Sequence, residues 1–425
     1  MKIIWFMAAP SALGRAAIEG CEKFLYGSGN WIDDEAKILV DTDCVELVEV
    51  FSDGKSNRSA KEMGITYCNL GIGRQCQGRR LSGAELDRIE VILNEFKPDL
   101  VMVWGTETSF SSYVLKIAST VGIPTILCPQ GVIASLCHYP NGLVPTADMC
   151  GCNPINWLKM PLFNQTKRAY RRQLEYEREA VSSASYILSD NDWTFDYCRC
   201  MNDHFKELRY ALPPNHAFWR KGWELESSVP FTIMTVSPRS SYKGQHILLR
   251  AIARMKAKYP ELKLAVPAMS SKMKSDAKSR IKETPYIALL KKIIRENSLE
   301  HNVVFLDRLS PEELANFMKT CRVFVNPSVI ESNCMSLREA MCLGMPVVSA
   351  FSGSIQEYVC NGENGYLYRY EEDEILSRIL CRLFENEEEC ARIGANARCS
   401  MEAFYSGGES LGDIYTSVLR ECHAG

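Results

Sequence analysis

Short apolar, β-branched runs alternate with stretches of helical period along most of this chain. That is the pattern of a parallel sheet with helices on both faces. In the first half it predicts strands near 2–6, 44–51, 99–104, 124–128 and 185–188, with helices such as 84–96 and 109–121 between them. In the second half strands fall near 231–236, 262–266, 303–307, 322–326 and 346–349. Helices at 245–258, 286–298, 311–320 and 335–343 separate them. The pattern restarts after Pro213-Pro214, so 213–230 reads as a linker. The expected fold class is α/β, with two Rossmann-like doubly wound parallel sheets facing a cleft, one in 1–215 and one in 216–405. A last helix runs near 408–422.

Length agrees with two domains, because 425 residues exceed one ordinary core. Hydrophobic residues make up 46% and charged residues 24%, the balance of a soluble globular protein. A net charge of -3 argues against nucleic-acid binding, which needs a broad cationic field. Any anionic ligand must be met by a few placed groups. The apolar start, Lys2 to Met7, is too short for a signal peptide or a membrane span. The 18 cysteines are scattered, apart from Cys150-x-Cys152 and Cys198-x-Cys200, and form no C-x-x-C pair. They read as reduced thiols of a cytoplasmic protein rather than a zinc site.

The segment 155–182 breaks the rhythm. It carries Lys159, Lys167, Arg168, Arg171 and Arg172 before its first acid, Glu175, with Trp157, Leu158, Met160, Leu162 and Phe163 interleaved. Two readings stand: a peripheral contact with an anionic membrane surface, or a connecting helix with a solvated basic face.

Chemistry concentrates in Asn326-Pro327-Ser328-Val329-Ile330-Glu331-Ser332-Asn333-Cys334-Met335-Ser336-Leu337-Arg338-Glu339-Ala340-Met341-Cys342-Leu343-Gly344-Met345-Pro346. This is a buried strand, a polar loop at its carboxyl end, a short helix closed by Gly344, and the start of another strand. Glu331 and Glu339 flank Ser332, Asn333, Ser336 and Leu337, where backbone N–H groups at the helix start make an anion site without net charge. Ser336-Leu337-Arg338-Glu339 is equally a capping box, with Glu339 satisfying the N-cap amide.

The whole string resembles the glutamate-x7-glutamate motif of the retaining glycosyltransferases of family 4, also called glycosyl transferases group 1, as found in bacterial polysaccharide loci. The resemblance implies a GT-B fold and a nucleoside diphosphate sugar as co-substrate, with Glu331 facing the donor sugar and Glu339 the ribose hydroxyls. It also implies retention of configuration without an obligatory metal; no Asp-x-Asp pair with suitable surroundings is expected at a strand end. A second signal is Ser237-Pro238-Arg239-Ser240-Ser241-Tyr242-Lys243-Gly244. By resemblance Lys243 is the diphosphate lysine and Arg239 a second cation. Cations there stabilise charge growing on the leaving phosphate. In this fold the helix in 406–425 packs back on the N-terminal domain.

The first half carries weaker signals. Gly27-Ser28-Gly29-Asn30 looks like the family's glycine-rich loop, with Gly29 near the donor phosphates, or is only a turn. Pro129-Gln130-Gly131 stands where many relatives have His-Gly, and Gln130 can hydrogen-bond but cannot shuttle a proton. His138 is either an acceptor-side base or an ordinary loop histidine. Asp192-Trp193 matches the look-alikes as a cap and packing pair.

The expected function is transfer of a sugar from a nucleoside diphosphate sugar to a saccharide or lipid-linked acceptor, in the cytoplasm or at the inner membrane face. The alternatives are a nucleotide-sugar epimerase of the same architecture and a catalytically idle sugar-nucleotide-binding subunit. A NAD-dependent dehydrogenase is disfavoured, since the first strand leads into Ala8-Ala9-Pro10-Ser11 rather than G-x-G-x-x-G.

Overall fold

The structure is a computed structural model, described for all residues except 8, 21–29, 42–44, 55–56, 74–78, 107, 152–153, 221, 236–239, 274–282 and 425. It divides into two compact units. The first comprises Met1–His138, Thr166–Pro213 and Gly407–Gly425, and the second Tyr139–Gln165 and Pro214–Ser406.

The first unit holds an eight-stranded sheet in the order β3-β4-β2-β1-β5-β6-β7-β8. Its strands are β1 (Lys2–Met7), β2 (Glu46–Phe51), β3 (Arg58–Glu62), β4 (Ile65–Asn69), β5 (Leu100–Trp104), β6 (Thr125–Cys128), β7 (Tyr186–Ser189) and β8 (Lys206–Arg209). All pairings are parallel except β3 with β4. That antiparallel edge departs from the wholly parallel expectation. Its two-residue turn places Met63 and Gly64 at positive φ, the geometry that suits the twist of a tight hairpin.

β1 is a continuous apolar run because both faces are covered. Phe6 packs with Val48, Val103 and Phe110 on one side. Ile3 and Trp5 pack on the other with Ile414, Tyr415 and Val418 of the helix Leu411–Ala424. The Trp5 indole N–H donates to the Tyr415 hydroxyl at 2.8 Å, so the last helix is part of this unit's core.

The second unit holds six strands, all parallel, in the order β11-β10-β9-β12-β13-β14. They are β9 (Thr232–Met234), β10 (Lys263–Val266), β11 (Val303–Phe305), β12 (Val323–Asn326), β13 (Val347–Ala350) and β14 (Tyr366–Tyr368). This is the doubly wound order, with its reversal between β9 and β12.

Two boundaries differ from the sequence expectation. Residues 139–165 belong to the second unit, tied there by the Tyr370 hydroxyl, which donates to the Gly142 carbonyl at 2.8 Å. The stretch 214–230 is no loose linker. Trp223 is buried, and its indole N–H donates to the Cys321 carbonyl at 2.8 Å.

Candidate functional site

In a doubly wound sheet, ligands bind beyond the carboxyl ends of the strands at the reversal point. Here that point lies between β9 and β12, and the loops leaving these strands carry Lys243 and Glu331. The Tyr242 carbonyl accepts from the Val329 amide at 2.8 Å, joining the two loops. Gly244, at φ 68°, lets them touch: a Cβ there would lie 1.7 Å from the Pro327 carbonyl oxygen. From beyond β13, Gly353 supports the same loop, since its Cβ would lie 1.8 Å from the Glu331 carbonyl oxygen. Ser354 completes the support, its amide donating to Glu331 O at 3.0 Å and its hydroxyl to Ser332 O at 2.7 Å.

On this frame Lys243 Nζ meets Glu331 Oε1 at 2.7 Å. Burial opposes the ammonium, but the Glu331 carboxylate, aided by Cys334 and Tyr242, outweighs it and holds the Lys243 pKa above the ordinary range. Lys243 is therefore a fixed cation at any physiological pH.

Glu339 sits apart from that pair, in the helix Met335–Leu343. The capping box does not form. The N-cap is Cys334 and no side chain caps the helix, so Glu339 falls in the second turn. It is half-buried, and its carboxylate makes no hydrogen bond among the described residues. Burial pushes its carboxyl up to about 7, against the pull of Arg338. The helix tip offers fewer donors than expected. The amides of Leu337 and Arg338 donate to Cys334 O at 3.0 and 3.1 Å, and that of Met335 to Asn333 O at 3.1 Å. Leu337 is a core side chain, so neither its amide nor its side chain is available to a ligand. Among the described residues the Ser336 amide in this turn has no acceptor. The Asn333 side-chain oxygen accepts from Arg338 Nη2.

Gln130 and His138 lie in the first unit. Gln130 is half-buried, 3.9 Å from Cys128 Sγ, and His138 is exposed. Arg239 and Gly29, with the rest of 27–29, lie outside the described residues. An Asp190-x-Asp192 pair follows β7, and its acids are engaged: Asp190 accepts from Asn191 at 2.7 Å and Asp192 pairs with Arg209. Asn191, not Asp192, is the helix cap. Among the described residues no three His, Cys, Asp or Glu side chains are placed to hold a metal ion.

One residue escaped the sequence reading. Glu177 is buried in the helix Pro154–Ser183 and accepts from Thr106 Oγ1 at 2.7 Å and from the Ile133 and Ala134 amides, each at 2.8 Å. It thereby anchors the segment between Gln130 and His138. The signal was available: Glu177 lies on the apolar stripe of Ala180, Val181 and Ala184 at helical spacing.

The fold and the reversal-point site define a GT-B architecture, and comparison with known proteins agrees. Residues 219–399 match the family Glycosyl transferases group 1. Over 181 residues the chain is 28% identical to D-inositol 3-phosphate glycosyltransferase of Corynebacterium kroppenstedtii, covering 42% of this chain and 39% of that protein. The enzyme of the same name from Streptomyces griseus is 28% identical over 207 residues, 48% of this chain and 42% of that one. The chain thus spans about two fifths of the length of these relatives. Among solved structures, sucrose-phosphate synthase from Thermosynechococcus elongatus superposes with a TM-score of 0.69 at 14% identity, covering 100% of both chains. Anabaena HepE in complex with UDP and glucose does so at 0.65 and 17%, covering 99% of this chain and 100% of that one.

Proposed function

We propose that this protein is a retaining, metal-independent glycosyltransferase that moves a sugar from a nucleoside diphosphate sugar to a saccharide or lipid-linked acceptor in polysaccharide biosynthesis. The reading is carried by the Lys243–Glu331 pair at the strand-order reversal. A permanently charged lysine meets the negative charge that builds on a departing diphosphate, which favours the transition state over the ground state. Glu331 and the unpartnered Glu339 accept hydrogen bonds from donor hydroxyls. The Ser336 amide adds one neutral donor for phosphate. Gln130 serves as a hydrogen-bonding contact to the donor, and His138 as the acceptor-side base. Since HepE structures hold UDP and UDP-glucose, uridine diphosphate sugars are the first donors to try.

The test is turnover of a donor panel with a chelator present. Lys243→Ala and Glu331→Ala should each lower turnover by about 100-fold or more. Wild-type rates in either folded variant, or a strict need for added metal, refute the mechanism. Membrane contact through 155–182 is part of the same proposal. Trp157 and Leu158 are exposed there, and no helix of the described residues is long and apolar enough to cross a bilayer. Failure to co-sediment with vesicles containing anionic lipid removes that part.

A further inference from the structure

Arg338 is the residue between the two site glutamates that no function has absorbed. A cation next to Glu339 on a helix ordinarily points to water. Instead Arg338 is fully buried, among the largest side chains in the protein to be so. Its guanidinium lies over the ring of Tyr358 at 5.0 Å and those of Phe404 and Tyr405 at 5.9 Å each. Nη2 donates to the side-chain oxygen of Asn333 and lies 3.1 Å from Met335 Sδ. The aromatic faces compensate part of the lost hydration but accept little hydrogen bonding. An apolar residue of similar volume would fill the box without that desolvation cost. The bond to Asn333 ties the charge to the loop that carries Glu331.

Its charge acts on Cys342 in the same helix and on two groups that belong to the donor site as read above. Asn333 follows Glu331 by two residues, and holding its oxygen inward leaves its NH2 as the group it can offer a ligand. Glu339 is the adjacent residue, and Arg338 is the cation that favours its ionised form. Other charges near this stretch include the paired Lys243 and Glu331 and, from the helix Glu387–Tyr405, Arg398 and Glu402, which act on Cys342.

We infer that Arg338 is a positioning residue of the donor site, which orients the Asn333 amide nitrogen towards a bound nucleotide sugar and keeps Glu339 available as a carboxylate. The inference rests on the reading of the second unit as a nucleotide-sugar site.

The experiment is calorimetric affinity for UDP-glucose, GDP-mannose and ADP-glucose across pH, in wild type, Arg338→Lys, Arg338→Met, Asn333→Ala and the Met/Ala double variant. In these probes the diphosphate carries no proton that titrates near neutrality, so a pH midpoint reports the protein. Wild-type affinity should fall on acidification with a midpoint near 7, the position of the Glu339 carboxyl. Arg338→Met should move that midpoint up by roughly one pH unit and weaken binding at neutral pH about fivefold, as the ionised fraction falls from about one half to about one tenth. Arg338→Lys should restore the midpoint, because it restores the charge. Adding Asn333→Ala to Arg338→Met should cost nothing further, since Asn333 is already released. An unmoved midpoint with full affinity in Arg338→Met, or losses that multiply in the double variant, overturns the proposal. If Arg338→Met fails to fold, Arg338→Lys decides: a midpoint displaced although the charge is kept also overturns it. A wild type that binds none of the three probes refutes instead the donor-site reading beneath it.

Discussion

Replacing Glu49 by Gln should make the first unit more stable at alkaline pH and leave it little changed at acid pH. Glu49 lies in the middle of β2, paired with Trp5, and is fully buried. Its Oε2 accepts from Ser11 Oγ at 2.7 Å, while Oε1 is buried without a partner. Burial pushes its carboxyl up from 4.5 to about 8; Ser11 opposes this and Asp33, itself raised to about 6 by burial, adds to it. The folded state thus holds a proton that the unfolded chain releases near its ordinary pKa. Stability from this site is intact below about 4.5, falls as pH rises through the window, and is lost above about 8. A rise of roughly 3.5 units at about 1.4 kcal/mol per unit sets a ceiling on the order of 5 kcal/mol. Gln removes the titration and adds only a pH-independent offset, since its NH2 takes the unpartnered position. Scanning calorimetry at about pH 5 and about pH 9 reads the difference. About 4 kcal/mol of that ceiling falls between those two conditions, so the variant's melting point relative to wild type should rise by roughly 8–16 °C, taking about 2–4 °C per kcal/mol for a unit of this size. A constant offset across that range would show that Glu49 is not a buried acid held neutral by the fold.

Two further predictions follow from the geometry. Glu177→Gln cannot accept from both the Ile133 and Ala134 amides, so one buried N–H loses its partner at a cost of about 1–3 kcal/mol. Denaturant unfolding that gives wild-type stability would contradict this, and Thr106→Val should cost less, having removed one donor only. Gly353→Ala forces a Cβ against the Glu331 carbonyl at a backbone φ of 56°. The loop must shift, and turnover of the donor should drop by on the order of 100-fold with the circular dichroism spectrum preserved; full activity would mean that Glu331's placement does not matter.

What the sequence revealed of the fold tracks burial. β1, β5 and β12 are read directly because both faces are covered and the runs are apolar. β3, Arg58-Ser59-Ala60-Lys61-Glu62, was invisible because an edge strand keeps its polar residues in water. β8, Lys206–Arg209, hid for the same reason. β14, Tyr366–Tyr368, was missed as well. Tertiary assignment was the other blind spot. No local pattern in 139–165 says that Gly142 will meet Tyr370, 228 residues away.

The site was legible where chemistry and chain position coincide, and misread where a neighbour decides. Lys243 and Glu331 are 88 residues apart and meet because β10 and β11 extend the sheet outward before β12 returns to lie beside β9. Glycines at 244 and 353 then set the approach of three loops, a backbone demand that a sequence does record. The helix start went the other way. Capping rules favour Ser336, yet the loop packed under Gly353 and Ser354 brings the chain into the helix two residues earlier, at Cys334. That shift carries Glu339 from the cap into the second turn and swings Arg338 into a box whose walls, Tyr358, Phe404 and Tyr405, come from later in the chain. A two-residue displacement of one helix start therefore turns Glu339 from a group satisfied by its own backbone into one that a ligand's hydroxyls can satisfy.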